Sequence, residues 1–264
     1  MHRYGKRVAC EKYHIPECQS VVKRNRRVGT SVTGVLNSPL WTPEILDMAY
    51  QAIQEENISY AKELGINASI RTTLNKPSGS VSKVMDCDDY EGIKARDSRY
   101  MIQRIRFHSG DPLIPLLRDA GHHIEPEVKL DGSLDHGTLV VDFYLSYDGD
   151  APIKDEGFDT WKQLDTLLMA QKWWADQAVS VTVYYKRNDI PEIKTWLANN
   201  LKYLKTISFL MEDDHGFKQA PKEAISHEQY DTFSKNIKPI PFDEIENAGD
   251  IEVAGCEGGQ CPVK

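Results

Sequence analysis

Apolar positions recur along the chain with two different periods, and the helical one is clearest near the start. Thr42 followed by Pro43 and Glu44 reads as a helix start. Leu46, Ala49, Ile53, Tyr60 and Leu64 then mark one face until Gly65 stops the helix. Asp189 with Glu192 three positions on has the form of a capping box, followed by a buried stripe of Ile193, Trp196, Leu197, Leu201 and Leu204. A third helix is predicted over Thr160 to Ala178, and a short one near His227 to Ile237. Between these lie four β-branched and aromatic runs, Ile70 to Leu74, Met101 to Phe107, Leu139 to Leu145 and Val181 to Tyr185, which read as strands. Strands separated by helices predict βαβ units, an α/β fold and a largely parallel sheet. No internal repeat at solenoid or propeller period is present.

The texture changes after about Gly216. Prolines stand at 221, 239, 241 and 262, charged residues crowd in, and the run from Pro239 to Lys264 has few large apolar side chains. The chain therefore divides into a body, residues 1–216, and a tail, residues 217–264, whose run from Pro239 to Lys264 is expected to be mobile. Composition fits a globular body: 264 residues, 40% hydrophobic and 27% charged, exclude collagen-like and wholly disordered classes. A net charge of -8 argues against a reader of the phosphate backbone, so no direct DNA binding is expected. No apolar run approaches the roughly 20 residues of a membrane span, and MHRYGKRVACEKYHIPE lacks the apolar core of a secretion signal. A cytoplasmic location follows as the expectation, with thiols kept reduced.

Candidate chemistry falls at two places. Cys256 and Cys261 flank Glu257, Gly258, Gly259 and Gln260, a flexible spacer that allows a disulfide to close. The pair reads as a dithiol shuttle on a mobile arm, or else as a metal clip or a static staple; a clip wants four ligands, and no histidine or further cysteine lies nearby. Cys10, Cys18 and Cys87 show no paired motif and read as plain thiols. The second place is TTLNKPSGSVSKV, residues 72–84, where a β-rich stretch enters Pro77, Ser78, Gly79 and Ser80 ahead of a possible helix start. Outward N–H groups, serine hydroxyls and close approach over glycine suit a phosphate, although Pro-Ser-Gly is also ordinary turn chemistry. GTSVTGV at 29–35 lacks the Lys-Ser/Thr of a Walker-A loop and is rejected as one. His122 and His123 are adjacent and do not share a face, so no metal site is predicted. Trp173 and Trp174 read as core residues, and Lys23, Arg24, Arg26 and Arg27 as a solvated helix end.

These motifs come in a telling order. KNRRVGTSVTGV (23–35), TTLNKPSGSVSKV (72–84), YMIQRIRF (100–107), SGDPLIPLLRDAGH (109–122), WADQAVSVTVYY (174–185), QAPKEAI (219–225) and CEGGQCPVK (256–264) together resemble the C-terminal portion of adenosylcobalamin-dependent, class II, ribonucleoside-triphosphate reductases. The resemblance implies the second half of a ten-stranded α/β barrel with a flexible C-terminal tail. It implies that Pro77, Ser78, Gly79 and Ser80 hold the phosphates of a ribonucleoside triphosphate. Cys256 and Cys261 are implied to take electrons from thioredoxin or a similar reductant and pass them to the active site. The tail around Cys256, Gly258, Gly259 and Cys261 is linked in the family with binding adenosylcobalamin, whose cobalt chemistry generates a protein thiyl radical for loss of the ribose 2′-hydroxyl.

The chain departs from the family pattern in two places. The Asn-x-Cys-x-Glu context of the radical cysteine is absent: Cys10 precedes Glu11 but has no asparagine two positions before it. That cysteine is expected in an N-terminal part or subunit. Lys94 and Asp97, after Glu91-Gly92, stand where the family pattern calls for a more aromatic or histidine-containing segment. Two functions follow as alternatives: part of a reductase, or a non-catalytic remnant that carries thiols or serves as a binding module.

Overall fold

The computed structural model describes residues 1–79, 82, 90–129, 131–212 and 218–240. In chain order these form α1 (His2–Val8), α2 (Pro16–Asn25), α3 (Pro43–Glu63), β1 (Tyr100–His108), α4 (Leu113–Asp119), β2 (Ile124–Val128), β3 (Leu134–Ser146), α5 (Thr160–Trp173), β4 (Thr182–Tyr185), α6 (Ile190–Asn200), β5 (Ser208–Met211), β6 (Lys222–Ala224) and α7 (His227–Ser234). They fall into two units. The first joins residues 1–98 to the chain from Gly149 through β5, and the second contains residues 99–148 with residues 218–240.

In the first unit the predicted βαβ logic holds. Thr30 bridges Thr73, Asn75 bridges Val179, and β4 pairs with β5, all in parallel. The helix α3 connects the first pair of segments, α5 precedes Val179, and α6 connects β4 to β5. Thr42 caps α3 by accepting from the Ile45 N–H, and Gly65 at φ +64° ends the helical run. Leu46 and Tyr60 on α3 are buried as the stripe predicts. Asp159 caps α5 by accepting from the N–H groups of Trp161 and Lys162, and the helix ends at Trp173, short of the predicted Ala178. The core collects Val35, Leu46, Ile93, Leu167, Ala170, Trp174 and Val179.

The second unit overturns the expectation of a largely parallel sheet. Its four strands, ordered β2-β3-β1-β6, are all antiparallel. Strands β2 and β3 follow each other across a short connection, which an antiparallel pair permits and a parallel pair does not. Ile114 and Leu117 of α4 pack with Val141 of β3. On α7, the Tyr100 ring stacks on His227 with centroids 4.8 Å apart, and Ser226 closes a capping box with Gln229.

Three local expectations fail for identifiable reasons. Ile70 to Leu74 is extended but forms the single bridge Thr30–Thr73 in place of a strand; on its other edge the Thr72 N–H is taken by the Asp176 carboxylate. Asp189 does not cap α6 with its side chain; Oδ2 accepts from the Lys186 N–H at 2.8 Å and the Thr160 hydroxyl at 3.2 Å, one turn earlier. Leu201, placed in the buried stripe, is 66% exposed because it lies past the last turn of α6. Arg26 departs from the solvated cluster as well. It is buried in a left-handed conformation at φ 44°, terminates α2 and donates from Nη1 to the Ala9 carbonyl at 2.7 Å.

Candidate functional site

Residues 72–79 run extended between two flanking segments of the first unit. Toward residues 29–33, the Thr30 N–H donates to the Thr72 carbonyl at 2.8 Å and the Leu74 N–H to the Thr30 carbonyl at 3.1 Å. Beyond Leu74 the bonds pass to side chains. Lys76 N–H donates to Ser31 Oγ at 3.2 Å, and Asn75 Nδ2 to the Val32 carbonyl at 2.7 Å. Toward residues 174–180, the Thr73 hydroxyl donates to the Trp174 carbonyl at 2.6 Å, Trp174 Nε1 to the Leu74 carbonyl at 3.0 Å, and Ser180 N–H to the Asn75 carbonyl at 2.8 Å. Thr72, Thr73 and Asn75 are fully buried, so these bonds meet a polar demand that water cannot reach. The segment is a rigid stalk for the loop at its end.

The loop itself is braced by Thr33. Its Oγ1 accepts from the Gly92 N–H at 2.8 Å and donates to Ser78 Oγ at 2.9 Å. A hydroxyl has one proton, so with the Thr33 proton on the Ser78 oxygen, the Ser78 proton is directed to another acceptor. Gly92 sits at φ +60°, and a Cβ there would stand 2.8 Å from the Lys76 carbonyl oxygen. Only glycine allows the two loops this contact. Gly79 also takes positive φ, +58°, and a Cβ there would meet nothing within 4 Å among the described residues. Positive φ at glycine is the conformation that lets a backbone turn its N–H groups toward an anion. Ser82 donates its hydroxyl to the Gly79 carbonyl at 3.1 Å.

The structure thus places Pro77, Ser78 and Gly79 together at the end of the stalk. Ser80, Cys256, Gly258, Gly259 and Cys261 lie outside the described residues, as does Cys87. Cys10 and Cys18 are free and exposed. Thr33, Ser31 and Asn75 escaped sequence reasoning. GTSVTGV offers glycines and hydroxyls, but nothing local pairs that stretch with residues 75–78. Lys94 and Asp97 form an ion pair at 2.6 Å, so the departure from the family pattern there is internally paired.

At the other end of the stalk Asp176 collects three donors: Thr72 N–H and Thr72 Oγ1 at 2.8 Å each, and the Tyr50 hydroxyl at 2.9 Å. Burial presses its carboxyl upward, but the Thr72 and Tyr50 bonds with the nearby Arg71 charge outweigh that and hold it below the usual carboxylate range. In the second unit the opposite balance holds at Asp142. Burial raises its carboxyl although Arg104 Nε lies 3.2 Å away.

Known proteins supply the comparison. No protein-family model matches the chain. The adenosylcobalamin-dependent ribonucleoside-triphosphate reductase of Lactobacillus gasseri is 30% identical over 302 residues, covering 99% of this chain and 40% of that protein. The enzymes of the same name from Lactobacillus acidophilus and Lactobacillus leichmannii are each 28% identical, with the same coverage. The crystal structure of a B-12 dependent (class II) ribonucleotide reductase superposes with a TM-score of 0.78 at 27% identity, over 93% of this chain and 38% of that one. The fold matches that of a class II ribonucleotide reductase. Over nearly its whole length the chain is similar to adenosylcobalamin-dependent ribonucleoside-triphosphate reductases, and a C-terminal portion of such a protein fits it. It spans about two fifths of the length of the curated relatives it matches.

Proposed function

We propose that this chain supplies the substrate-phosphate loop and the electron-relay tail of an adenosylcobalamin-dependent reduction of ribonucleoside triphosphates to 2′-deoxyribonucleotides. The observation that carries this reading is the Thr33-braced loop, in which Gly79 stands at positive φ and Ser78 Oγ accepts from the Thr33 hydroxyl, which leaves the Ser78 proton for another acceptor. Pro77, Ser78, Gly79 and Ser80 bind the triphosphate. The barrel is completed by an N-terminal part carrying the radical cysteine, giving ten strands in two antiparallel halves, with residues 1–216 as its second half. Residues 217–264 form the tail. Adenosylcobalamin, when bound to the complete enzyme, would supply the radical chemistry; the tail residues Cys256, Gly258, Gly259 and Cys261, expected near it, lie outside the described residues.

The relay needs both sulfurs. One thiolate of the pair attacks the active-site disulfide, its neighbour resolves the mixed disulfide, and thioredoxin then reduces the new Cys256–Cys261 bond. With the N-terminal part supplied, Cys256→Ser and Cys261→Ser should each allow about one turnover per prereduced site and then stall with thioredoxin. Dithiothreitol should restore much of the activity, since a small dithiol reaches the active-site disulfide directly. Wild-type turnover by both variants with thioredoxin as sole reductant would remove the pair from the relay, and no turnover by the reconstituted wild type would leave the alternative, a non-catalytic remnant or binding module, in its place.

A further inference from the structure

A second polar concavity lies at the opposite end of the stalk, within the first unit. Arg71 and Ser78 bound the stalk, which at about 3.3 Å per residue is roughly 23 Å long, so the two ends are separate places. The cavity measures about 280 Å³, and Tyr50, Arg71, Lys172, Trp173, Asp176 and Lys205 contribute to its wall. That volume is small for an organic ligand site and suits an anion with a short carbon skeleton.

Its charges are unbalanced in one direction. Arg71, Lys172 and Lys205 oppose two carboxylates, Asp47 and Asp176. Asp176 is already committed, because its oxygens accept from the Thr72 N–H, the Thr72 hydroxyl and the Tyr50 hydroxyl. The Lys205 ammonium donates to the Asp176 carbonyl at 2.5 Å, which anchors its position beside that carboxylate. Burial lowers the Lys205 pKa first, the Arg71 charge lowers it further, and the Asp176 carboxylate pulls it back up. Three cations against two carboxylates leave an excess of positive charge at the wall for an anion to meet. Lys172 is steadied over the Tyr203 ring, 4.3 Å from its centroid. Trp173, 43% exposed, leaves a ring available at the wall.

We propose that this cavity is a binding site for a phosphate oxyanion, held by Arg71, Lys172 and Lys205. The phosphate is either free or the head of a small phosphate monoester whose carbon skeleton rests on Trp173. The site is independent of the Ser78–Gly79 loop.

Calorimetric titration of the purified chain with inorganic phosphate, ribose 5-phosphate and ribose tests this directly. A saturable phosphate site is expected that is weakened by added salt and persists in Ser78→Ala. Arg71→Gln and Lys205→Gln should each weaken it at least tenfold, and Lys205→Arg should retain it, with thermal melts of each variant reporting folding. Tighter binding of ribose 5-phosphate than of inorganic phosphate identifies the ester as ligand, and equal binding identifies free phosphate. The proposal is overturned if no saturable phosphate binding occurs at millimolar concentration, if ribose binds as tightly as its phosphate, or if folded Arg71→Gln and Lys205→Gln chains bind as the wild type does. Loss in Ser78→Ala alone would assign the heat to the other loop and overturn it equally.

Discussion

Thr33 shows how much of the loop's chemistry depends on one hydroxyl. Valine there keeps the volume but leaves the Gly92 N–H unpaired and frees Ser78 Oγ, a loss on the order of 1 to 3 kcal/mol for a buried donor. In the reconstituted reductase, Thr33→Val should raise the KM for nucleotide about tenfold, the equivalent of roughly 1.4 kcal/mol, and change kcat less. Thr33→Ser, which keeps the hydroxyl, should restore it; equal KM values for wild type and Thr33→Val would show that Ser78 is set by other contacts. Asp176 is the titrating counterpart at the far end of the stalk. Its folded pKa is depressed, so its contribution to stability is present above the unfolded value and is lost as pH falls through the folded one. Asp176→Asn should therefore lower the Tm at pH 7, and the gap to wild type should close below about pH 4, where an ordinary aspartate protonates. A gap that stays constant down to acid pH would mean that Asp176 acts through shape alone.

At the scale of elements, legibility followed local completeness. The helix α3 was readable because its cap, its stripe and its stop all lie within its own residues: Thr42, the face through Leu46 and Tyr60, and Gly65. Thr42→Ala should cost about 1 kcal/mol, read as a lowered midpoint in urea; no change would mean that Pro43 and the buried face fix the start alone. Strands β1, β3 and β4 were readable from β-branched and aromatic density, but their direction was not. A run such as Met101 to Phe107 has the same composition whether its neighbour is parallel or antiparallel, and the pairing of Tyr100 with Ser146 depends on the intervening turns. The geometry of the loop at Pro77 to Gly79 was half legible for the same reason. Pro77, Ser78 and Gly79 announce a turn that suits an anion, whereas the brace from Thr33 is a contact across 45 positions that no local pattern encodes. Asp189 illustrates the reverse case, a good local signal claimed by a competing partner, Lys186 N–H, one turn upstream.

For the molecule as a whole, the central claim is that this chain is the substrate-phosphate part of a class II reductase and works when the rest of the barrel is present. Its relatives are two and a half times its matched share, since each match covers 40% of them, so the test belongs in a mixture with the N-terminal part. Gly79 is the most discriminating position: it has positive φ and a Cβ there meets no described residue within 4 Å, so a β-branched residue strains the loop without touching the described core. The measurement is deoxynucleotide formation from ribonucleoside triphosphate, with adenosylcobalamin, dithiothreitol and the N-terminal part, by wild type and Gly79→Val. The account predicts reduction only when both parts are present, and a KM for nucleotide at least tenfold higher in the folded Gly79→Val protein. Reduction with an unchanged KM in that variant would contradict it.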